Sequence, residues 1–150
     1  MLHALAVITA TVTGIMVGVE FFVAVFFEMI LAPLPAGPAL EARASGGRLL
    51  GRVMPFWYIA SLILIAAMAV AAKGGTATGA AIAAAALFAV SVVLSIALLV
   101  PINNRSKTWT ADDHPDDYRE QAQRWDQLHY LRVAILIAGF VLTLVAATAG

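Results

Sequence analysis

The sequence predicts an all-α integral membrane protein, a four-helix bundle, and three observations carry that reading. Apolar segments at residues 4–32, 53–72, 76–102 and 133–149 fill most of the 150 residues. A hydrocarbon core of about 30 Å needs roughly 20 apolar residues in a helix, so each segment can cross once, the fourth by drawing on residues just before it. Composition agrees, with 62% hydrophobic and 12% charged residues, against about 25% charged in soluble domains. The third observation is that the first and longest segment is broken by two carboxylates, Glu20 and Glu28. An acid near the bilayer centre costs roughly 2.5–3.5 kcal/mol on insertion scales, so such a group faces a bundle interior and has a partner or a task.

One bundle accounts for nearly all of the chain, and residues 1–150 read as a single four-span transmembrane domain. The formal net charge of zero gives no argument for nucleic acid, and no nucleic-acid partner is expected. The chain has no cysteine, which excludes a disulfide framework, a thiolate metal site and the four-span enzymes that pass disulfides to quinones. Residues 1–32 lack the basic start and short apolar run of a secretory signal and read as a retained first span. Arg43, Arg48 and Arg52 lie between the first two spans, and Arg105, Lys107, Arg119, Arg124 and Arg132 lie between the last two or at the start of the fourth. Lys73 stands alone in the second connection. The positive-inside rule therefore predicts a multi-pass cell-membrane protein with both termini outside and loops 33–52 and 103–128 cytoplasmic.

Taken in order, the first helix should end at Pro33, where Pro33, Pro35, Gly37 and Pro38 make a rigid turn. Residues 39–52 suit a short helix along the membrane surface, interrupted at Gly46 and Gly47. The second span should begin near Met54-Pro55, with Trp57 and Tyr58 at headgroup level. Gly74-Gly75-Thr76 predicts a tight link, so the second and third helices should be antiparallel neighbours. The third is rich in alanine, with Ala81, Ala85 and Ala89 at intervals of four and a polar track at Ser91 and Ser95, and should stop at Pro101. These small residues, with Gly14 and Gly18 on the first helix, favour close backbone packing, and Gly14 and Gly18 also suit a homodimer contact.

The fourth helix should carry Trp125, His129 and Arg132 on one face, since their spacing is i, i+4, i+7. Glu28, about one turn from the end of the first helix, should lie level with His129 and Arg132, where Arg132 can pair with it. Glu20 should sit about 12 Å deeper, within about 80° of the same face. Asn103 or Asn104 and Trp57 or Tyr58 reach the same layer. A pocket open toward the cytosol, with Glu20 facing inward at its floor, is the predicted site. Desolvation would keep Glu20 protonated there unless a cation or metal lies beside it.

Val100-Pro101-Ile102-Asn103-Asn104-Arg105 with Trp109, then Arg124-Trp125-x-x-x-His129-x-x-Arg132, resembles the signature of a small four-span family that includes anthrone oxygenases. Gly18-Val19-Glu20-Phe21-Phe22 extends the resemblance loosely into the first helix. What the resemblance implies is oxygenation of a lipophilic, electron-rich phenolic polycycle to a quinone without flavin or haem. No cofactor is then expected. A base would remove an acidic proton, and the carbanion would reduce oxygen. His129 is the candidate base. Arg132, Asn103 and Asn104 would stabilise oxyanion charge, Glu20 would complete the catalytic set, and Glu28, Trp57, Tyr58, Trp109 and Trp125 would hold the substrate.

Plainer readings stand beside these. Arg132 with Glu28 also suits a structural ion pair, His129 a helix cap, the tryptophans interfacial anchors, and Asp112 to Asp117 a solvated loop. A metal-dependent membrane oxidoreductase would use Glu20, Glu28 and His129 as ligands to iron or copper, although no spaced ligand motif supports it. A non-enzymatic membrane partner, or a small-molecule or proton transport subunit, would use Glu20 as a relay; four spans without an internal repeat argue against a lone transporter. Membrane lipid is an expected partner in every reading.

Overall fold

A computed structural model describes Leu2–Ala149. The helices are α1 (Leu2–Leu31), α2 (Ala36–Ala71), α3 (Gly75–Ser106) and α4 (Tyr118–Thr148), each long and apolar enough to cross a membrane. Among the described residues there is no strand. The protein is an all-α membrane four-helix bundle. Each helix packs on its neighbour in sequence and α4 closes on α1. Leu2, Thr148 and the 72–74 turn therefore lie at one end of the bundle, and connections 32–35 and 107–117 at the other, the loop end.

The boundaries follow local chemistry with three corrections. α1 stops before Pro33 as expected, and Gly74 and Gly75 adopt φ values of 92° and 70°, which only glycine takes readily and which make the predicted tight link. The first correction concerns α2, which runs unbroken through Gly46, Gly47 and Pro55 instead of dividing into a surface helix and a span. Glycine costs a helix interior about 1 kcal/mol relative to alanine, but here the bare backbone admits neighbours. The ring of Phe27 comes 3.2 Å from where a Cβ on Gly46 would stand, and Asn103 Oδ1 comes 2.7 Å from the equivalent point on Gly47.

The second correction is that α3 does not stop at Pro101 but continues to Ser106. A π turn at Ser95–Leu99 lies just ahead of the proline; widening the helix there removes the clash a proline ring makes with the preceding turn. A second π turn, Val23–Phe27 in α1, has no proline beside it. The third correction follows from these two and from the start of α4 at Tyr118. Most of the ranges 33–52 and 103–128 are helix, leaving only short connections at 32–35 and 107–117.

At about 1.5 Å per residue, α2 is about 54 Å long, well beyond a hydrocarbon core of about 30 Å. Its first turns and those of α4 therefore stand clear of the apolar layer, where they carry Glu41, Arg43, Arg119 and Glu120. The buried side of α3 is Ala77, Ala81, Ala84, Phe88 and Ser91, steps of four, three, four and three. The predicted run turns toward the edge of the interface at Ala85 and Ala89, which are half-buried, because four-residue steps overshoot a 3.6-residue turn. Phe88 packs against Gly139 of α4, and Gly14 of α1 is filled by Phe140, while nothing lies near Gly18. The outer surface carries Val7, Ile15, Phe56, Ile63, Val70 and Val93, all exposed. Such a girdle would be an aggregation hazard in water and is the ordinary lining of a helix in lipid.

Candidate functional site

A cavity of about 670 Å³ opens at the loop end and is walled mainly by apolar side chains of all four helices, among them Val19, Val23, Met54, Ile59, Val92 and Leu99. Its floor is a cluster of three ionisable groups. Arg132 Nη2 lies 2.6 Å from Glu20 Oε2 and 2.8 Å from His129 Nδ1. Glu20 and His129 are 3% and 2% exposed. Arg132 Nη1 donates to Ser95 Oγ at 3.0 Å, and Ser95 in turn donates to the Ser91 carbonyl at 2.7 Å. The guanidinium also lies over the Tyr58 ring, 5.6 Å from its centre. One side chain on α4 thus touches α1, α2 and α3.

The hydrogen bonds assign the histidine tautomer. A guanidinium can only donate, so His129 Nδ1 accepts from Arg132 and carries no proton. Nε2 is then the N–H, and it donates to the Glu20 carbonyl at 3.2 Å. That carbonyl lies three residues ahead of the π turn in α1, where the helix changes its hydrogen-bonding step. Trp125, one turn back on α4, stacks on the imidazole with ring centres 4.7 Å apart and planes 18° apart. Both ring nitrogens are therefore occupied, and His129 has no lone pair free for a substrate proton. Glu20 differs. Its Oε2 is held by Arg132, while its Oε1 has no hydrogen-bond partner among the described residues and the residue lines the cavity.

Glu20, rather than Glu28, is the carboxylate beside Arg132. The cause is length. α4 begins at Tyr118, so Arg132 is fourteen residues inside the helix, roughly 21 Å from its start, and this brings it level with Glu20, two turns deeper than Glu28. Glu28 instead forms an ion pair with Arg43, whose Nη1 also reaches Asp126 Oδ1 at 3.0 Å. This second cluster ties α1, α2 and α4 together near the mouth of the cavity. Since Glu28 is drawn away, Glu20, Glu28 and His129 do not converge as ligands. Among the described residues no group of three His, Asp or Glu side chains is placed to hold a metal ion.

The other expected site residues divide. Tyr58, Asn103, Asn104 and Trp125 line the cavity; Glu28, Trp57 and Trp109 do not. Trp57 donates to the Val12 carbonyl at 3.0 Å, joining α2 to α1. Trp109 is buried against Tyr118, ring edge to face. Asn103 sits at the mouth, with Nδ2 3.5 Å from the Gly47 carbonyl and 3.3 Å from where a Cβ on Gly51 would stand. Three participants were missed from sequence: Arg43, Gly47 and Gly51. The i, i+4 spacing of the two glycines was a signal for a flat helix face that admits a neighbour, and Arg43 was counted only as a topogenic charge.

Neither a search of curated proteins nor one of solved structures finds a match. The model of the family described as Anthrone oxygenase matches residues 48–142, from Arg48 of α2 through Asn103 and His129 to the last third of α4, with Glu20 outside the matched range. With more than half of its length so matched, the chain belongs to the anthrone oxygenase family.

Proposed function

We propose that the chain is a membrane-embedded oxygenase converting an electron-rich phenolic polycycle of the anthrone kind to a quinone. One observation carries the reading: a buried carboxylate, guanidinium and imidazole share the floor of an apolar-walled cavity of about 670 Å³, a size that encloses a drug-sized ligand. Membership of the family supports the same reaction class. A base takes a proton from the methylene carbon between the aromatic rings. The electron pair left on carbon reduces dioxygen and forms the C–O bond. The resulting hydroperoxide loses water and leaves a second carbonyl. One oxygen atom enters the quinone, the other leaves as water, and the substrate supplies all four electrons, so the balance needs no further reductant or cofactor.

In this reading Glu20 Oε1 accepts the proton, and Arg132, fixed by Ser95 and His129, offers positive charge to the enolate that forms. Tyr58 Oη and Arg132 Nε, beside the same floor, are both buried without a hydrogen-bond partner. Trp125 holds the imidazole flat, and His129 holds the guanidinium. Oxygen uptake by the purified protein should rise above the protein-free rate on addition of an anthrone, with one O₂ consumed per quinone and one ¹⁸O atom from labelled dioxygen retained in it. No catalysed uptake with any electron-rich phenol would sink the proposal.

The basic residues clustered at the loop end support a cytoplasmic placement of the cavity mouth and an external placement of both termini. Reporter fusions at the C-terminus should therefore be active only when the reporter works outside the membrane. A cytoplasmic signal from that fusion reverses the side from which substrate reaches the cavity.

A further inference from the structure

We propose that the mouth of the cavity is an anion subsite, and that its occupant is an amphiphile with an apolar body in the shaft and an anionic group, carboxylate or phosphate, at the rim. This rests on the assignment of the cavity as the substrate site and specifies the substrate class. Arg48, Arg52 and Lys107 all line the cavity, Arg48 and Lys107 joined at its loop end and Arg52 one turn of α2 further in. Arg43, nearer the start of α2, is neutralised by Glu28 and Asp126, whereas among the described residues none of these three has a carboxylate within ion-pair distance.

The positive-inside rule explains basic residues near this end of the bundle but not their convergence on one opening. Arg105, Arg119 and Arg124 lie at the same end and do not line the cavity. Two of the three lining cations are also fixed in place. Arg48 Nη1 donates to the Lys107 carbonyl at 2.7 Å, pinning the end of α3 to α2, and Lys107 Nζ donates to Asn104 Oδ1 at 2.8 Å. Each keeps further donors in hand, because a guanidinium has five N–H groups and an ammonium three. Below them the walls are mainly apolar, and the cation at the floor, Arg132, is already paired with Glu20. An anionic amphiphile therefore has a single favourable direction of insertion: apolar end first, with its charge left at the rim among the three cations.

Binding, rather than turnover, is the test, so that it stands apart from the oxygenase reading. Anthracene-2-carboxylate and the neutral 2-hydroxymethylanthracene are titrated against the full chain in phosphatidylcholine nanodiscs, following probe fluorescence. The carboxylate should bind about tenfold more tightly. Arg52→Gln/Lys107→Gln, which leaves the Arg48 contact to the α3 carbonyl intact, should lose most of that preference while binding the neutral probe as before. Phosphatidylglycerol added to the nanodiscs identifies the source: competition with the carboxylate marks a lipid headgroup as the rim anion, and its absence marks an acidic substrate. Equal affinity for the two probes, or a preference that survives the double variant, overturns the anion subsite. Carboxylate preference without oxygen uptake would remove the oxygenase reading alone, and uptake without preference the subsite alone.

Discussion

Arg132→Ala is expected to be the most damaging single substitution for the fold, at about 3–5 kcal/mol, the usual cost of stripping one partner from a buried ion pair. The guanidinium is the charged partner of Glu20 Oε2 at 2.6 Å, also meets Ser95 and His129, and covers the face of Tyr58. Without it a carboxylate with 4% of its side chain exposed has no counter-charge, and His129 Nδ1 and Ser95 Oγ each lose a donor. The variant should denature at a much lower SDS fraction or temperature in detergent than the parent. Arg132→Lys keeps the charge but cannot span Glu20 and Ser95 with one planar fork, and should fall between the two. Adding Glu20→Gln to Arg132→Ala should recover part of the loss, because it removes the stranded charge. An Arg132→Ala protein as stable as the parent would show that the cluster does not hold the four helices together.

Which parts of this arrangement could be read from sequence depends on what sets them. The four crossings, the inward Glu20 and the common face of Trp125, His129 and Arg132 follow from periodicity and from the cost of bare charge in lipid, both local properties of the chain. Pairing across helices is different, because it depends on where each helix begins. Placing the start of the fourth span at residue 133 put Arg132 level with Glu28; the helix begins at Tyr118, and the two-turn difference passes the arginine to Glu20. The same holds for Gly46 and Gly47. They read as interruptions because glycine weakens a helix, but Phe27 and Asn103 fill the space they leave, and packing of that kind is visible only once the other helices are in place. Trp57 and Trp109 looked like substrate platforms by residue type, yet a carbonyl of α1 and the ring of Tyr118 take them.

The reaction should depend on Glu20 more than on His129, in contrast to what residue type alone suggests. Glu20→Gln keeps the side-chain shape and an amide oxygen to accept from Arg132, so the bundle should still assemble. It removes the proton acceptor, and oxygen uptake should fall by about 10²–10⁴-fold, the usual contribution of a general base. His129→Ala leaves the carboxylate in place and frees the guanidinium from one of its holds. Its loss should be smaller, about 10²-fold or less, the scale of a misplaced catalytic group. The distinguishing measurement is the isotope effect on a substrate deuterated at the reacting methylene. Slow proton removal in the Glu20→Gln protein should enlarge it, while a geometric fault in the His129→Ala protein should leave it near the parent value wherever proton removal already limits the rate. Should His129→Ala be inactive and Glu20→Gln retain full uptake, the imidazole is the base, and Arg132 must leave Nδ1 during the catalytic cycle to let it accept a proton.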